Sequence, residues 1–441
     1  MNKSKKIRTR FAPSPTGFLH LGGLRTALYN YLFAKKNKGV CFFRLEDTDQ
    51  TRLVPEALET LLTTLKWCGI EFDENPEVGG PFAPYVQSQR LELYKKYADQ
   101  LVAEGKAYYC FCTPERLDQL RTLQQKNKQP TKYDRKCLQL TKAEVDAKIK
   151  AGEPYVIRFK VPSDRIISVH DLVRGEVKFN TNEIDDQILL KSDGFPTYHL
   201  AHVVDDHLME TTHVIRGEEW LPSTPKHLLL FEAFGWEAPL YAHLSLMLNP
   251  DKSKLSKRQG DVAVEDYQKK GYLPEALLNF VALCGWHPGA GSEQEVFDMA
   301  GLIENFKLSE VQKAGAVCDL QKARWFNAQY LRKLPQAELA KLIRTHLPEA
   351  WQSDSDEALL AKVKTVQERI ELIGDAPEAL KFYFEWVLPT PEILVHKKFC
   401  PEIAEAQKIL NELKPFSVEI HTVRDTMDHP VGRGLLQEAQ E

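Results

Sequence analysis

Residues 5 to 110 alternate between two hydrophobic periods. IRTRFA and VCFFRL are short apolar runs typical of buried strands, and LRTALYNYLFAKK between them repeats its apolar residues at the spacing of a helix. Strand–helix–strand units of this kind build a parallel sheet with right-handed crossovers. The pattern therefore predicts an α/β fold with a Rossmann-type parallel sheet in its N-terminal part.

The pattern changes twice beyond residue 110. Charged helical runs then alternate with short strands, which predicts an α+β insertion, before the α/β pattern returns in DQILL and THVIRG. From about residue 310 the apolar spacing is almost wholly helical, which predicts an all-α C-terminal region. We therefore predict a split sheet domain at 1–110 and 191–255, an insertion at 111–190, a loop-containing region at 256–332 and a helical region at 333–441.

The composition is that of an ordinary soluble globular protein, with 43% hydrophobic and 27% charged residues among 441. The chain has no run of about 18 uncharged apolar residues, so we predict no membrane span and a cytoplasmic location. The net charge of −4 gives no general attraction for nucleic acid, so such a partner would bind at local basic patches. Eight cysteines in so long a chain do not indicate a disulfide framework.

The stretch RTRFAPSPTGFLHLGG runs from a predicted strand through a turn into a predicted helix. Ligands of doubly wound sheets bind at such turns, next to helix N-termini. Gly22 and Gly23 would permit a phosphate or base to approach closely, and His20 adds a hydrogen-bond donor. Leu24 stands where a P-loop would carry lysine. A glycine pair that only permits tight helix–sheet packing fits this stretch equally well.

A second segment, LMLNPDKSKLSKRQGD, places four cations close together: Lys252, Lys254, Lys257 and Arg258. A polar loop of this kind suits a mobile phosphate clamp, because lysine acts there as a flexible point charge. A solvated basic loop would show the same composition. The segment alone therefore leaves both interpretations open.

Together, and in this order, the two segments resemble the signatures of the class I aminoacyl-tRNA synthetases. HLGG is similar to the HIGH signature and KLSKR to the KMSKS signature, while RLEDTDQTR and THVIRGEEW resemble the bacterial glutamyl branch over most of residues 7–332. The resemblance implies that glutamate attacks the α-phosphate of ATP, bound with Mg²⁺, and that the 3′ ribose of tRNA(Glu) then takes the acyl group. A monomer is expected.

The resemblance also implies the roles of individual residues. The residues implied to contact phosphates in catalysis are His20, Lys254, Lys257 and Arg258. Gly22, Gly23, Glu219 and Ser256 join them in the implied ATP site. The residues implied to bind glutamate are Arg10, Ala12, Ser14, Glu46, Tyr198, His202, Arg216 and Trp220. Arginine suits the side-chain carboxylate because its planar fork binds it bidentately, and Glu46 suits the ammonium.

These assignments compete with plainer interpretations. Arg10 or Arg216, taken singly, also fits a surface salt bridge, and Tyr198 fits a half-buried aromatic residue of a strand. His202 departs from the pattern, since many relatives carry asparagine there. An uncharged glutamine would leave the two arginines underpaired, which favours selection of glutamate.

The cysteines fall into two groups. Cys110 and Cys112 form C-x-C, and Cys137 follows after 24 intervening residues. Some family members bind a structural zinc with C-x-C-x24-C-x-H, but Gln139 replaces the histidine here. Tyr133 resembles a tyrosine ligand of a paralogous branch, so a zinc site and a set of three reduced thiols both remain open. The remaining cysteines are expected to pack as small hydrophobic residues.

The tRNA contacts follow only from the resemblance. It implies an insertion that holds the acceptor end, a stem-contact region that carries Lys322 and Arg324, and a helical anticodon-binding domain that carries Arg369. That domain is expected to be shortened at its C-terminal end.

Several alternatives to a tRNA(Glu)-specific enzyme fit parts of the sequence. The enzyme could also charge tRNA(Gln) with glutamate. A paralogue that glutamylates a modified tRNA base would lack the helical C-terminal region. A catalytically dead RNA-binding protein would not need both phosphate signatures, and an adenylating metabolic enzyme would leave the insertion and the helical tail unexplained.

Overall fold

The computed structural model of the chain describes residues 6–15, 17–52, 54, 56–255, 263–289 and 293–385, together with 402–404, 407, 408 and 411. Two compact units are present. One comprises Met1–His346 and Gln367–Asp375, and the other comprises Leu347–Val366 and Ala376–Glu441. None of the helices in the described part of the chain is both long and apolar enough to cross a membrane.

The strands of the described residues, in chain order, are β1 (Arg8–Phe11), β2 (Val40–Phe43), β3 (Ala107–Cys110), β4 (Val156–Phe159), β5 (Ile166–Asp171), β6 (Gly175–Asn180), β7 (Ile188–Leu190), β8 (His213–Gly217), β9 (Leu240–Leu244), β10 (Met247–Leu248) and β11 (Ala316–Val317). The pairs β1–β2 and β8–β9 are parallel, as the alternating pattern predicts. Strand β5 also pairs with β9 in parallel, although it comes from the segment predicted as an insertion. Strand β8 runs beside β1, and the backbone N–H of Thr212 donates to the carbonyl of Arg8 at 3.0 Å.

The α-helices of the described residues are α1 (Leu21–Lys36), α2 (Ala57–Trp67), α3 (Leu91–Ala103), α4 (Pro114–Lys126), α5 (Lys142–Lys150), α6 (Tyr198–Leu208), α7 (Thr224–Phe234), α8 (Val264–Lys269), α9 (Pro274–Leu283), α10 (Met299–Asn305), α11 (Leu320–Lys333), α12 (Gln336–Arg344), α13 (Asp356–Val366) and α14 (Ala376–Phe384). In the described residues beyond Leu320, helices replace strands, as the sequence predicts.

The segment 111–190, predicted as an insertion, contains two antiparallel arrangements. Strand β4 pairs with β3 and β7, and β5 pairs with β6. Strand β5 also joins β9 at the pair Asp171 and Tyr241, so the predicted insertion continues the sheet that carries β8. The predicted insertion is therefore tied through Asp171 directly to a strand beside the site described below.

Helix α1 is held in place by its apolar face. Leu21, Leu24, Leu28 and Leu32 are fully buried at helical spacing, and the helix contacts β1, β8 and α9. Its N-terminus therefore lies at the carboxyl end of β1, where the turn RTRFAPSPTGFLHLGG was predicted to hold a ligand.

Candidate active site

A cavity of about 710 Å³ opens where β1 meets the N-terminus of α1. Its walls come from the turn after β1, from the segment around Glu46, from the start of α6 and from the end of β8. The lining residues that were predicted from the sequence are Arg10, Ala12, Ser14, His20, Gly22, Gly23, Glu46, Tyr198, Arg216, Glu219 and Trp220. Segments far apart in the chain thus meet at one site.

The residues predicted to form the phosphate clamp are described only in part. Lys254 is exposed and is not among the lining residues, and its backbone forms an antiparallel bridge with Leu248. Ser256, Lys257 and Arg258 lie outside the described residues. The structure therefore describes one half of the predicted phosphate site, and the clamp loop remains a prediction from sequence.

The N-terminus of α1 faces the cavity. His20 is the N-cap residue with extended backbone, its side chain makes no capping hydrogen bond, and the first turn contains no acidic residue. The first N–H groups of any α-helix have no partner within the helix and carry the positive end of its dipole. An anion such as a phosphate is therefore favoured at this position.

The two glycines of the first turn differ in what surrounds them. A Cβ at Gly22 would have only the Met247 sulfur at 4.0 Å, so a side chain there would extend into open space. A Cβ at Gly23 would lie 3.1 Å from Cδ1 of Leu19 and 3.9 Å from the Phe11 ring. Gly22 therefore keeps the cavity open, while Gly23 permits the close contact between helix and turn.

We expect Gly22→Val and Gly23→Val to have different consequences. The valine at 22 would occupy ligand space, raising the KM for ATP while the melting temperature stays close to that of the wild type. The valine at 23 would press on Leu19, and overpacking of this kind typically costs about 1–3 kcal/mol of stability. Pyrophosphate exchange and thermal unfolding separate the two effects. Equal melting temperatures together with equal KM values for ATP would contradict this division.

Arg216 is a buried cation whose described partners are all neutral. The residue is only 5% exposed. Its Nε donates to His243 Nε2 at 3.1 Å, and its Nη1 donates to the Tyr198 hydroxyl at 2.8 Å. Its Nη2 donates to Thr224 Oγ1 at 3.1 Å and to the Trp220 carbonyl at 3.3 Å. Among the described residues, no carboxylate lies within ion-pair distance of it. One of its five N–H groups remains for a ligand.

Arg10, the second predicted arginine, is already neutralised. Its Nε lies 3.2 Å from Oδ1 of Asp206, and its Nη2 lies 3.3 Å from Nδ1 of His202. Both arginines are buried and line the cavity, so the surface salt-bridge interpretation is wrong for both. Of the two, Arg216 supplies the unneutralised positive charge that a carboxylate ligand requires.

A network of buried charges supports the floor of the cavity. Arg44 is fully buried and donates from Nη1 to Asp206 at 2.8 Å and from Nη2 to Glu46 at 2.9 Å, while Asp205 lies 3.8 Å from its Nε. Burial raises the pKa of Glu46, opposed by the attraction of Arg44, and the net direction is upward. Glu46 is thus a carboxylate whose charge still benefits from a further cation, such as an ammonium group.

His202 does not line the cavity. Its ring is fully buried behind the wall, with Nε2 3.4 Å from Asp206 and its centroid 4.3 Å from that of His227. Burial, together with the nearby charges of Arg216 and Arg10, holds the pKa of His202 far below its ordinary value, so the ring is neutral. Direct contact of His202 with substrate stays a prediction, and the structure places the ring behind the residues that line the cavity.

Tyr198 begins a helix, so the alternative interpretation of it as a strand aromatic is wrong. It is the first residue of α6, and its ring centroid lies 4.4 Å from that of Trp220. Burial raises the pKa of the Tyr198 hydroxyl, which therefore stays protonated and accepts from Arg216 through its lone pair. The two rings form an aromatic wall beside the cation.

Sequence reasoning missed four residues that hold this site: Asp171, Asp206, Thr224 and His243. The signal for Asp206 was present, because two successive aspartates in the apolar helix segment HLAHVVDDHL must be paired if they are buried. Asp171 and His243 gave no such signal, since they lie on strands that are far apart in the chain.

The three cysteines predicted as a group do come together. The sulfur atoms of Cys110, Cys112 and Cys137 lie within 4.8 Å of one another. The Tyr133 hydroxyl lies 3.3 Å from the sulfur of Cys110 and 3.4 Å from that of Cys112, whereas Gln139 is exposed. The hydrogen bond from Cys137 outweighs burial and lowers the pKa of Cys110 to about 4, which favours one thiolate in the cluster.

The cations predicted to contact tRNA differ in their surroundings. Lys322 forms an ion pair with Glu295 at 2.6 Å, and Arg324 bonds Glu371 at 2.6 Å and Asp375 at 2.8 Å. Arg369 is exposed. Surface ion pairs are worth only about 0–1 kcal/mol, so Lys322 and Arg324 can still exchange their partners for phosphates.

Comparisons with known proteins give consistent results. A model of the family "tRNA synthetases class I (E and Q), catalytic domain" matches residues 6–325. The glutamate–tRNA ligase of Chloroherpeton thalassium is 54% identical over 394 residues, which cover 86% of this chain and 78% of the relative. That of Clostridioides difficile is 51% identical over 392 residues, covering 86% and 79%. The crystal structure of a glutamate tRNA ligase from Elizabethkingia meningosepticum, in complex with its amino acid, is 41% identical, with a TM-score of 0.83 and coverage of 93% of this chain and 91% of that one.

Proposed function

The chain belongs to the class I tRNA synthetases for glutamate and glutamine, and we propose that it attaches L-glutamate to tRNA(Glu) in an ATP-dependent reaction. The observation that carries this proposal is Arg216, a buried guanidinium with neutral partners that faces the cavity beside the N-terminus of α1. A ligand with a carboxylate at one end and a neighbouring phosphate at the other matches the two positive features of this cavity.

The first step of the proposed reaction is the attack of the glutamate α-carboxylate on the α-phosphate of ATP, with pyrophosphate as the leaving group. Arg216 binds the side-chain carboxylate and Glu46 the ammonium, so the α-carboxylate is directed towards the first turn of α1. This step depends on positioning and on stabilisation of negative charge more than on proton transfer. The 3′ ribose hydroxyl of tRNA then attacks the mixed anhydride, and AMP leaves.

The phosphate half of the proposed site combines His20 and the first turn of α1 with the KLSKR loop. Gly22 leaves room for the nucleotide, and Lys254, Lys257 and Arg258 supply the charge that Leu24 does not. Mg²⁺ enters with the triphosphate of ATP, because it prefers phosphate oxygens and water to an all-protein cage.

Aminoacylation with purified tRNA isoacceptors tests the proposal. The intact chain is incubated with tRNA(Glu) or tRNA(Gln), ATP and labelled glutamate, and in parallel with labelled glutamine. We expect glutamate to be attached to tRNA(Glu) and glutamine to be attached to neither. Charging of tRNA(Gln) with glutamate identifies the non-discriminating variant, and no glutamyl-tRNA with either isoacceptor contradicts the proposal.

The other proposed parts of the enzyme concern tRNA. We propose that the insertion 111–190 holds the acceptor end, that Lys322 and Arg324 contact the stem, and that the helical region from 333 onwards, including Arg369, reads the anticodon. Helices α11 and α12 support a role in RNA contact, since both carry cations in their last turn. We also propose that the enzyme is a cytoplasmic monomer.

We further propose that Cys110, Cys112, Tyr133 and Cys137 hold a structural Zn²⁺. The donor set supports this, because structural zinc is four-coordinate and favours cysteine sulfur, and the Tyr133 hydroxyl lies beside the three clustered sulfurs as a candidate fourth donor. Arg158 lies 4.2 Å from the centre of the Tyr133 ring, and Arg116 donates to the Cys112 sulfur at 3.4 Å. Both cations stabilise negative charge in the donor set.

We expect the protein purified without added metal to contain about one zinc per chain, the ratio of a closed four-ligand site. Cys112→Ser should release the metal and lower the melting temperature of the catalytic unit, because metal binding contributes to folding. Cys68→Ser, at a buried cysteine remote from the cluster, is the matched control and should keep its zinc. Metal analysis that finds no zinc in the wild type would leave three reduced thiols as the correct description.

A further inference from the structure

A chain of hydrogen bonds links Asp171 through His243 to Arg216. His243 Nδ1 lies 2.6 Å from Oδ2 of Asp171, and His243 Nε2 accepts from Arg216 Nε at 3.1 Å. Asp171 ends β5, His243 lies on β9 and Arg216 on β8. Three neighbouring strands of one sheet therefore each contribute one member.

The geometry fixes which nitrogen of His243 carries the proton. Arg216 Nε is always a donor, so His243 Nε2 must present its lone pair. The proton therefore resides on Nδ1, which donates to the Asp171 carboxylate. Both side chains of this couple are fully buried, so bulk water cannot replace either hydrogen bond.

Asp171 is itself held in one orientation by backbone donors. Its Oδ1 accepts from the backbone N–H of Val173 at 2.9 Å and of Arg174 at 2.8 Å, and the backbone N–H of His243 is shared between Oδ1 at 3.2 Å and Oδ2 at 3.1 Å. Oδ2 is thereby held next to the imidazole. Although burial raises the pKa of Asp171, the hydrogen bonds from His243 and from these backbone groups outweigh it and lower the pKa. Asp171 is therefore ionised, and its position is set before any ligand binds.

We propose that Asp171 and His243 are positioning residues that orient the Arg216 guanidinium and keep its charge available for the substrate carboxylate. A carboxylate in the place of His243 would orient the arginine equally well, but it would neutralise the charge. A neutral imidazole accepts the Nε hydrogen bond without doing so. Asp171, on strand β5 of the predicted insertion, then fixes the tautomer of His243. This inference rests on the proposed activation of glutamate, and it gives a structural reason why the site would bind glutamate tightly.

Asp171→Asn is the sharpest test, because it retains the shape of the side chain. The backbone N–H groups of Val173 and Arg174 keep the amide oxygen at the Oδ1 position, so the amide nitrogen faces His243 Nδ1 and donates to it. The His243 proton must then move to Nε2, where it opposes the Arg216 Nε–H. We expect the KM for glutamate in pyrophosphate exchange, measured with tRNA present, to rise roughly 10- to 100-fold, and the KM for ATP to change less than about 3-fold.

His243→Gln separates this role from a general effect on folding. The glutamine oxygen takes the position of Nε2 and accepts from Arg216 whatever the protonation of its neighbour, so the KM for glutamate should rise far less than in Asp171→Asn. In the double variant with Asp171→Asn, the effect of the asparagine should largely disappear. His243→Leu, which has no acceptor, should resemble Asp171→Asn. His213→Gln, a buried histidine on the same strand as Arg216, is the matched control and should not change the KM.

A spectroscopic measurement reads the tautomer directly in the full-length chain. Two-bond ¹H–¹⁵N spectra of histidine-labelled protein, with the His243 signals assigned by their loss in His243→Gln, should show Nδ1–H in the wild type and Nε2–H in Asp171→Asn. The wild type carrying Nε2–H would overturn the proposal, as would an unchanged KM for glutamate in Asp171→Asn. If Asp171→Asn does not fold, equal KM values for His243→Gln and His243→Leu would overturn it. A wild type that is inactive in exchange contradicts the proposed function instead, and the tautomer still tests the hydrogen-bond chain.

Discussion

Arg216→Met is expected to lower kcat/KM for glutamate in pyrophosphate exchange by roughly 1,000-fold, which corresponds to about 4 kcal/mol of lost transition-state binding. The substitution removes a charge-assisted hydrogen bond and the unneutralised positive charge of the cavity. Methionine retains much of the apolar stem, so the wall formed by Tyr198 and Trp220 keeps its support. The decrease should be confined to kcat/KM for glutamate, and the KM for ATP should stay within about 3-fold of its wild-type value.

The same substitution should not destabilise the protein. Breaking a buried ion pair leaves an unpaired charge in the interior, but Arg216 has no carboxylate partner among the described residues, so its removal leaves none behind. The neutral groups around it can rearrange, since the Thr224 hydroxyl lies 3.2 Å from His243 Nε2 and can donate to it. We therefore expect a melting temperature equal to or above that of the wild type.

Arg8→Met is the matched control, because Arg8 is another arginine buried in the sheet. Arg8 bonds Glu74 through Nη1 at 2.8 Å and Nη2 at 2.9 Å, and neither group lines the cavity. This variant should lose stability while its KM for glutamate is unchanged, which is the opposite outcome. If Arg216→Met lost stability and kept its glutamate kinetics, the assignment of Arg216 as the substrate cation would be wrong.

The local structure of the first sheet could be predicted from the sequence because its signals are local. The apolar runs around Arg10 and Phe42 became β1 and β2, and the helical period between them became α1. The turn that ends at His20 likewise followed from its glycines. Period and turn chemistry act over a few residues, so one chain segment contains all the information needed.

The partners of the site residues could not be predicted in this way. Whether Arg10 or Arg216 carries the free charge depends on Asp206, His243 and Thr224, which approach only after the sheet has formed. The position of His202 behind the cavity wall could not be predicted for the same reason, because it depends on the rotation of α6. The ¹H–¹⁵N spectra of His243 and the kinetics of the Arg216 variant therefore test contacts that form only when the chain folds.

Asp206→Asn is expected to lower the free energy of unfolding of the catalytic unit by about 3–5 kcal/mol. Asp206 is fully buried and receives hydrogen bonds from Arg44 Nη1 at 2.8 Å and from Arg10 Nε at 3.2 Å. Asparagine keeps the shape but removes the negative charge, so two guanidiniums remain in the interior with insufficient counter-charge. Asp99→Asn is the matched control, since Asp99 pairs with Lys95 on the surface. The free energy of unfolding of Asp99→Asn should fall by less than about 1 kcal/mol.

The pH dependence gives this prediction a second, independent readout. Burial raises the pKa of Asp206, but the charges of Arg10 and Arg44 outweigh it, so the net shift is downward. A carboxyl with a lowered pKa stabilises the fold fully above its unfolded pKa of about 3.9, and this stabilisation is lost as the pH falls through the folded value. Urea unfolding should therefore show a constant difference in the free energy of unfolding between wild type and Asp206→Asn from about pH 5 to 8. This difference should shrink below about pH 4. A difference that instead widened on acidification would mean that Asp206 is protonated in the folded protein, and that Arg10 as well as Arg216 carries an unneutralised charge.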